Sequence, residues 1–332
     1  LHDLDLFAVG ARAPEMTADD ALRVAAHFGI GGVAAAELPG GWVNDNWLVT
    51  ARTGGAAYVA RRYGRMHVTR RAVFFEHAVM RHAGARLREV RAPLLDAGGE
   101  SILLDGGAFN AVFPYVTGTT GDRHSTREAA ALLARLHLAL ADFHAARPRA
   151  TRTVGVLAWL RDRILRFAAQ PALAQRLPWD ELALALARAQ TRIRERAGAL
   201  PLTTVHGDPH PDNFVVDNAR ITGLLDFDFS HETERAFDVG SGMDAFARAD
   251  EDGELETETA LAFALAYHAA APLSEAEWAL LPDFMLRRNA FLIWYVVSRH
   301  GQRAFGEIGN ADRYARRVVA LDKLARTWKT PG

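Results

Sequence analysis

Val205-His206-Gly207-Asp208-Pro209-His210-Pro211-Asp212-Asn213-Phe214-Val215-Val216, followed by Ile221-Thr222-Gly223-Leu224-Leu225-Asp226-Phe227-Asp228, is the stretch on which the fold turns. Both apolar runs are short and rich in β-formers, and Asp217-Asn218-Ala219-Arg220 between them is turn chemistry. A hairpin folded there sets Asn213 and Asp226 roughly opposite each other at its open end, because cross-strand neighbours lie about 4.5–5.5 Å apart. An amide oxygen and a carboxylate at that spacing can share one hard cation, and Mg²⁺ takes oxygen ligands at about 2.0–2.1 Å. Asp208 lies in the loop just ahead of the hairpin.

Outward from this island, the chain changes character near Val116–Gly118. Upstream, Thr17 is an N-cap with Asp20 three places on, and Leu22, Val24, Ala25 and Phe28 form one face of a helix. Gly40-Gly41 leads into a strand over 42–50, Gly54-Gly55 signals a hairpin turn, and 57–63 returns as a second strand. A helix is expected over Arg70–His82, then short strands over Ser101–Leu104 and Ala111–Val116. Downstream the pattern is helical. Ser125 with Glu128 predicts a capping box opening a helix to His144. Further helices are expected over 156–167, 180–194, 257–269, 275–283 (capped by Ser274) and 286–300. This gives two domains, 1–116 and 117–332.

The order Asp208, Asn213, Asp226 resembles a kinase catalytic loop: an Asp base, an Asn five residues on, and a metal-binding Asp on the next strand. With His206-Gly207-Asp208 in place of His-Arg-Asp, the segment is similar to the aminoglycoside phosphotransferase, choline kinase and homoserine kinase superfamily. Leu136–Phe143 and Ala290–Arg299 are closest to protein-kinase-like homoserine kinases. The resemblance implies an α+β, bilobal protein-kinase-like fold, with a small antiparallel-sheet nucleotide lobe and a larger, mainly helical lobe holding the acceptor. It implies a kinase that uses ATP and Mg²⁺ to phosphorylate a hydroxyl of a small molecule. Asp208 is then the base, and Asn213 and Asp226 are the metal ligands. Arg61 stands where a lysine usually contacts the phosphates, with Glu76 on the next helix as its ion-pair partner. Phe113 and Tyr115, in Phe113-Pro114-Tyr115-Val116 between the lobes, fall where the family contacts adenine. Strand alternation puts Val59 and Arg61 on one face and Arg62 on the other. His206 and Asp238 are expected to order the loop rather than take part in chemistry, and Asp228 fits a second ion, a substrate contact or the surface. Gly40-Gly41 with Asn44 and Asn46 replaces the usual glycine-rich loop.

Composition is that of an ordinary globular chain and excludes several classes. The chain has 332 residues, 49% hydrophobic and 24% charged, with a net charge of −1. That balance disfavours a dedicated nucleic-acid binder. Having no cysteine, the chain has no disulfides, thiolate metal site or cysteine nucleophile. With no apolar run long enough to span a membrane and no signal-peptide order at Leu1–Asp5, the expectation is a cytoplasmic protein. Two other functions fit parts of the sequence. One is a metal-dependent hydrolase ligating zinc through His206, Asp208, His210 and Asp212, and the other a nucleotide-binding scaffold without catalysis. The acidic run Asp250–Glu256 invites a polycationic acceptor, but a charge run of this kind is ordinarily a solvated loop. Trp278, Trp294 and Tyr295 are expected in the core.

Overall fold

Thr17 opens the first helix: its Oγ accepts from the Asp20 amide while the Asp20 carboxylate accepts from the Thr17 amide, and α1 runs over Ala18–His27. The computed structural model describes residues 13–38, 44–52, 54–64, 69–146, 148–250, 253–298 and 309–329. Gly40, Gly41, Trp42 and Val43 fall outside them.

Strands β1 (Gly32–Glu37), β2 (Asp45–Ala51) and β3 (Ala57–Arg62) follow, then helix α2 (Arg70–Gly84), β4 (Leu103–Asp105) and β5 (Ala108–Pro114). They form one antiparallel sheet in the order β1-β2-β3-β5-β4. Gly54 and Gly55, at φ 74° and 64°, lie in the β2–β3 turn closed by the Ala51 amide on the Ala56 carbonyl, a left-handed backbone that glycine adopts without steric cost. Register decides the faces. Trp47, Ala60 and Val112 are cross-strand partners, as are Asn46, Arg61 and Ala111. The first set, with Val49, packs on Val24, Ala25 and Phe28 around α1. The second, with Val59 and Phe113, faces the other way.

Strand β6 (Thr119–Thr120) leaves the sheet, and helices α3 (Thr126–Ala139), α4 (Thr153–Ala168) and α5 (Trp179–Arg196) follow. Then come β7 (Leu202–Val205), β8 (Phe214–Asp217), β9 (Arg220–Leu224) and β10 (His231–Glu234), and helices α6 (Ala236–Phe246), α7 (Thr257–Ala270), α8 (Glu275–Ser298) and α9 (Gly309–Ala325). The result is an α+β molecule with a sheet-rich amino-terminal part and a mainly helical remainder. Strands β6, β8 and β9 form one small sheet, β7 and β10 another. Helix α8 packs against α4, α5, α6 and α9. Trp278 and Trp294 are buried in that core, as expected.

Several elements depart from the sequence expectation. Ser125 makes no capping box: its hydroxyl donates back to the Asp122 carbonyl at 2.6 Å, and α3 begins at Thr126 and ends at Ala139 rather than near His144. The helices expected over 275–283 and 286–300 are one, α8, running through Pro282. Proline cannot donate to the carbonyl four residues back, and the indole Nε1–H of Trp328 takes that Trp278 carbonyl instead, at 2.9 Å. The Ser274 cap is as expected, with the Glu277 amide donating to its Oγ. Strand β1 and helices α6 and α9 were not foreseen.

Candidate active site

Strand β8 and strand β9 meet as the turn chemistry requires, Phe214 opposite Leu224 and Asp217 opposite Arg220. At the open end the Leu225 amide donates to the Asn213 carbonyl at 2.8 Å, so Asp226 emerges one residue beyond the ladder. It does so at φ 59°, a left-handed conformation that is uncommon for a residue with a side chain. Ahead of the hairpin a short turn over Pro211–Asn213 brings the Asn213 amide nitrogen to the Asp208 carbonyl at 2.8 Å. With its nitrogen so engaged, Asn213 offers its oxygen as a ligand, and with the Asp226 carboxylate this is the all-oxygen set a hard divalent cation prefers.

The loop itself is held from beneath. Asp238 on α6 accepts from the His206 amide at 2.7 Å and the Gly207 amide at 2.9 Å. Its burial works against ionisation, but hydrogen bonds from His137 and from the loop amides keep its carboxyl below the usual range. His206 is fully buried; its Nδ1 accepts from the Asp208 amide and its Nε2–H donates to the Leu225 carbonyl, which joins the loop to the end of β9. Gly207, at φ 93°, passes so close to Phe229 that an added Cβ would sit 2.2 Å from the Phe229 carbonyl oxygen. No other residue fits there. The sequence assigned His206 and Asp238 their loop-ordering places, and the geometry agrees; the reason for Gly207 was not visible.

Arg61 projects from β3 over the hairpin. Its Nε donates to Asn46 Oδ1 at 3.0 Å, and its NH1 lies 3.5 Å from Asp228, 3.7 Å from Asp226 and 3.7 Å from Glu76 on α2. Burial alone would depress the guanidinium; the Asp226 and Asp228 carboxylates instead raise it above its ordinary value. Glu76 is buried, and burial together with the Asp228 charge pushes its carboxyl well above the usual carboxylate range. Asp228, left open by the sequence, is thus part of this cluster, and it also accepts from Asn44 at 2.6 Å. Arg62 points to the opposite face and is a buried hub. It donates to Asn110 Oδ1 at 3.0 Å and Asp20 at 3.2 Å, not into the solvent.

Arg61, Phe113, Tyr115, Asp208, Asn213 and Asp226 line one cavity of about 1290 Å³, with Glu76 behind Arg61. The Phe113 ring lies beneath the Arg61 guanidinium, 5.4 Å from centroid to Cζ. The Tyr115 amide donates to the Ala57 carbonyl, so a ligand hydrogen-bonded by this linker meets other groups. Tyr295, expected in the core, lines the cavity as well. Asp250 is the only described member of the acidic run to do so. At the far end stand arginines from α8, α9 and the end of α6, which no local motif had signalled. Arg288 bridges the regions, 3.2 Å from Asp244 and 3.8 Å from Asp208. The zinc constellation does not assemble: His206 is turned inward, His210 pairs with Asp212 on the outside, and among the described residues no three His, Asp or Glu converge on a metal position.

The model of the phosphotransferase enzyme family, APH, matches residues 34–278. Homoserine kinase of Cupriavidus taiwanensis is 30% identical over 299 residues, covering 85% of this chain and 84% of its own length. Homoserine kinase of Polaromonas naphthalenivorans is 29% identical over 262 residues, covering 77% and 78%. Among solved structures, a microcompartment-associated aminopropanol kinase superposes with a TM-score of 0.69 at 16% identity, covering 92% of this chain and 97% of that one. Amicoumacin kinase hAmiN, in complex with AMP-PNP, Ca²⁺ and Ami, gives 0.65 at 17% identity, covering 90% of each.

Proposed function

The chain belongs to the phosphotransferase enzyme family and is a small-molecule kinase with a hydroxyl acceptor, and on that premise we propose an ATP- and Mg²⁺-dependent enzyme whose reacting groups are those gathered in this cavity. The observation that carries the assignment is the convergence of Asp208, Asn213, Asp226 and Arg61 on a single space. Asp208 orients the acceptor hydroxyl and accepts its proton late in the transfer. Arg61 holds phosphate oxygens through its planar fork, steadied by Asn46 and Glu76. Asn213 and Asp226 would hold the divalent cation, which when bound neutralises charge on the phosphates. Phe113 and Tyr115 border the adenine. The break between the 1–116 and 117–332 parts is the line across which the nucleotide is clamped. Because phosphoryl transfer passes through a loose transition state, positioning and charge neutralisation supply most of the acceleration.

The relatives named homoserine kinases make a hydroxy amino acid the first acceptor to try. The test is nucleotide consumption by the purified protein with Mg²⁺ and ATP or GTP, over a panel of hydroxylated amino acids, amino alcohols, sugars, nucleosides and aminoglycosides. Acceptor-dependent release of nucleoside diphosphate is expected for one class. Nucleotide binding in titration calorimetry without transfer to any acceptor would favour a scaffold role, and failure to bind nucleotide at all would remove the assignment.

A further inference from the structure

Behind Arg61 lies a chain of buried polar side chains that the proposed reaction does not use. Tyr63 follows the end of β3, two residues beyond Arg61, and His77 follows Glu76 on α2. Tyr63, His77 and Ser101 are each at most 2% exposed. Arg81, which can only donate, gives a hydrogen bond to Ser101 Oγ at 3.3 Å, so the Ser101 hydroxyl donates to His77 Nδ1 at 2.8 Å. Burial, then the Arg81 and Arg61 charges, lower His77 to about 3, so its ring is neutral. Its one proton is then on Nε2 and is donated to the Tyr63 hydroxyl oxygen at 2.9 Å. His77 also stands edge-on to Phe113, with centroids 5.7 Å apart at 84°. Both rings that His77 touches border the Arg61 guanidinium. Its Cζ lies 5.4 Å from the Phe113 centroid and 6.0 Å from that of Tyr63, within reach of a cation–π contact.

The other neighbours of Arg61 attract it without orienting it. Its NH1 stands 3.5 Å from Asp228 and 3.7 Å from Asp226 and Glu76, longer than an ordinary hydrogen bond. Buried Glu76 Oε1 has no hydrogen-bond partner. Among the described residues, Arg61 makes one side-chain hydrogen bond, from Nε to Asn46, which leaves the guanidinium plane free to turn about that axis. Charge attraction depends little on such a turn, whereas a bidentate contact depends on it strongly. The rings supply the missing restraint. A stability role alone does not call for polar atoms here, since a buried hydrogen bond gains only a modest net amount. A satisfied polar chain does fix one arrangement of the groups around it, and this one ties β3 to α2 where Arg61 meets Glu76.

We propose that Tyr63 and His77 are positioning residues of the phosphate contact: they fix the Tyr63 and Phe113 rings, and the rings set the plane in which the Arg61 fork meets a phosphate. This rests on the assignment of Arg61 to the phosphates, and it gives a reason why arginine works where a lysine is usual. An ammonium is a point charge with no plane to set. The frame therefore matters to an arginine and not to a lysine.

The experiment is a cycle of substitutions in the whole chain, read by titration calorimetry with ATP and Mg²⁺ and, separately, with adenosine. Tyr63→Phe keeps the ring and removes the hydroxyl. It is expected to weaken ATP by about fivefold, the scale of one net hydrogen bond, while adenosine stays within about twofold of wild type. Added to Arg61→Lys, the same Tyr63→Phe change should alter ATP affinity by less than about twofold, because the coupling runs through the guanidinium. Ser101→Ala leaves Arg61 and both rings in place and takes only the partner of His77 Nδ1. It should repeat the pattern more weakly, and it carries the test alone if Tyr63→Phe fails to fold by circular dichroism. A merely structural chain gives equal losses for ATP and adenosine, or the same ATP loss in Arg61→Lys as in the wild type. Either result overturns the proposal, as does unchanged ATP affinity in both Tyr63→Phe and Ser101→Ala. A wild type that binds no Mg²⁺-ATP is failure of the kinase assignment itself, and the positioning role falls with it. A wild type that binds ATP, with variants that bind it equally well, is failure of the positioning role alone.

Discussion

Arg61 and Arg62 are adjacent in sequence and separated by the thickness of a sheet, and their substitutions should separate as cleanly. Arg61 faces Asp226, Asp228 and Glu76 in the cavity. Arg61→Ala is expected to weaken nucleotide binding and lower kcat, while Arg61→Lys, which keeps the charge but loses the fork, should retain partial activity. Arg62→Ala should leave buried Asn110 Oδ1 without its donor, take from Asp20 one donor beside that of the Thr17 amide, and lower stability by roughly 1–3 kcal/mol, read by urea unfolding. Alternation foretold that the two arginines face opposite ways, and the place of Arg61 in the kinase motif chose it for the cavity; that Arg62 is buried rather than solvated depends on α1, which one strand's sequence cannot show. For Asp208, the loop geometry gives Asp208→Asn an expected fall in kcat of roughly 10²–10⁴-fold with nucleotide affinity nearly intact in calorimetry. Wild-type turnover would remove the base assignment. Asp208, Asn213 and Asp226 were legible because one short hairpin gathers them. Arg288, which reaches Asp208 across the cavity, was not, because α8 lies far along the chain from the loop.

Two elements hold conformations that sequence propensity would not choose, and both can be tested. The β8–β9 turn uses Asn218 and Ala219 at φ 49° and 60°. Asparagine tolerates that region, but alanine there costs about 1–2 kcal/mol for its Cβ. Ala219→Gly produces the preferred Asn-Gly turn and should raise stability by about 1 kcal/mol without changing activity; an unchanged or lower urea midpoint would show that the turn carries no such strain. Helix α8 continues through Pro282 because Trp328 occupies the carbonyl that proline leaves unbonded. Trp328→Phe keeps much of the ring and removes only that donor, so a loss of roughly 1–3 kcal/mol is expected. The sequence expectation broke α8 here because the compensating donor lies 50 residues away. The same reason hid β1 and α6. Strand β1 is Gly-Val-Ala-Ala-Ala-Glu, weak in β-formers, and exists by pairing with β2. Helix α6 contains Gly240 and Gly242, poor helix formers retained where Phe284 and Phe263 pack too closely for a side chain. Helices with an amphipathic stripe and a cap, such as α1, were visible locally.

At the scale of the molecule, one apolar core runs from Tyr63 and α2 through α3–α5 to Leu321 in α9, beside a smaller one under α1. The change from sheet to helix near Val116 was readable in composition, but this continuity across it was not, since it is made by tertiary packing. A continuous core should unfold as a unit, and two buried histidines, one on either side of that change, can report on it. Burial, then the Arg81 and Arg61 charges, lower His77 to about 3; burial and Arg287 lower His231 to about 3. Unfolded, each returns to about 6.5. Below that pH the unfolded chain takes up a proton that the folded one refuses, so each histidine contributes stability that is present above about 6.5 and lost as the pH falls toward 3. Buried Glu76 is shifted upward and works in the opposite direction, so the useful measurement is a difference between variants rather than the slope of the wild type. The stability of His77→Gln or His231→Asn relative to wild type should be constant above pH 6.5 and rise by roughly 1.4 kcal/mol for each pH unit below it. With one cooperative transition, both variants move the same midpoint by fluorescence and by circular dichroism. If His77→Gln moves one transition and His231→Asn another, the parts on either side of Val116 unfold independently, and the continuous core is not what couples them.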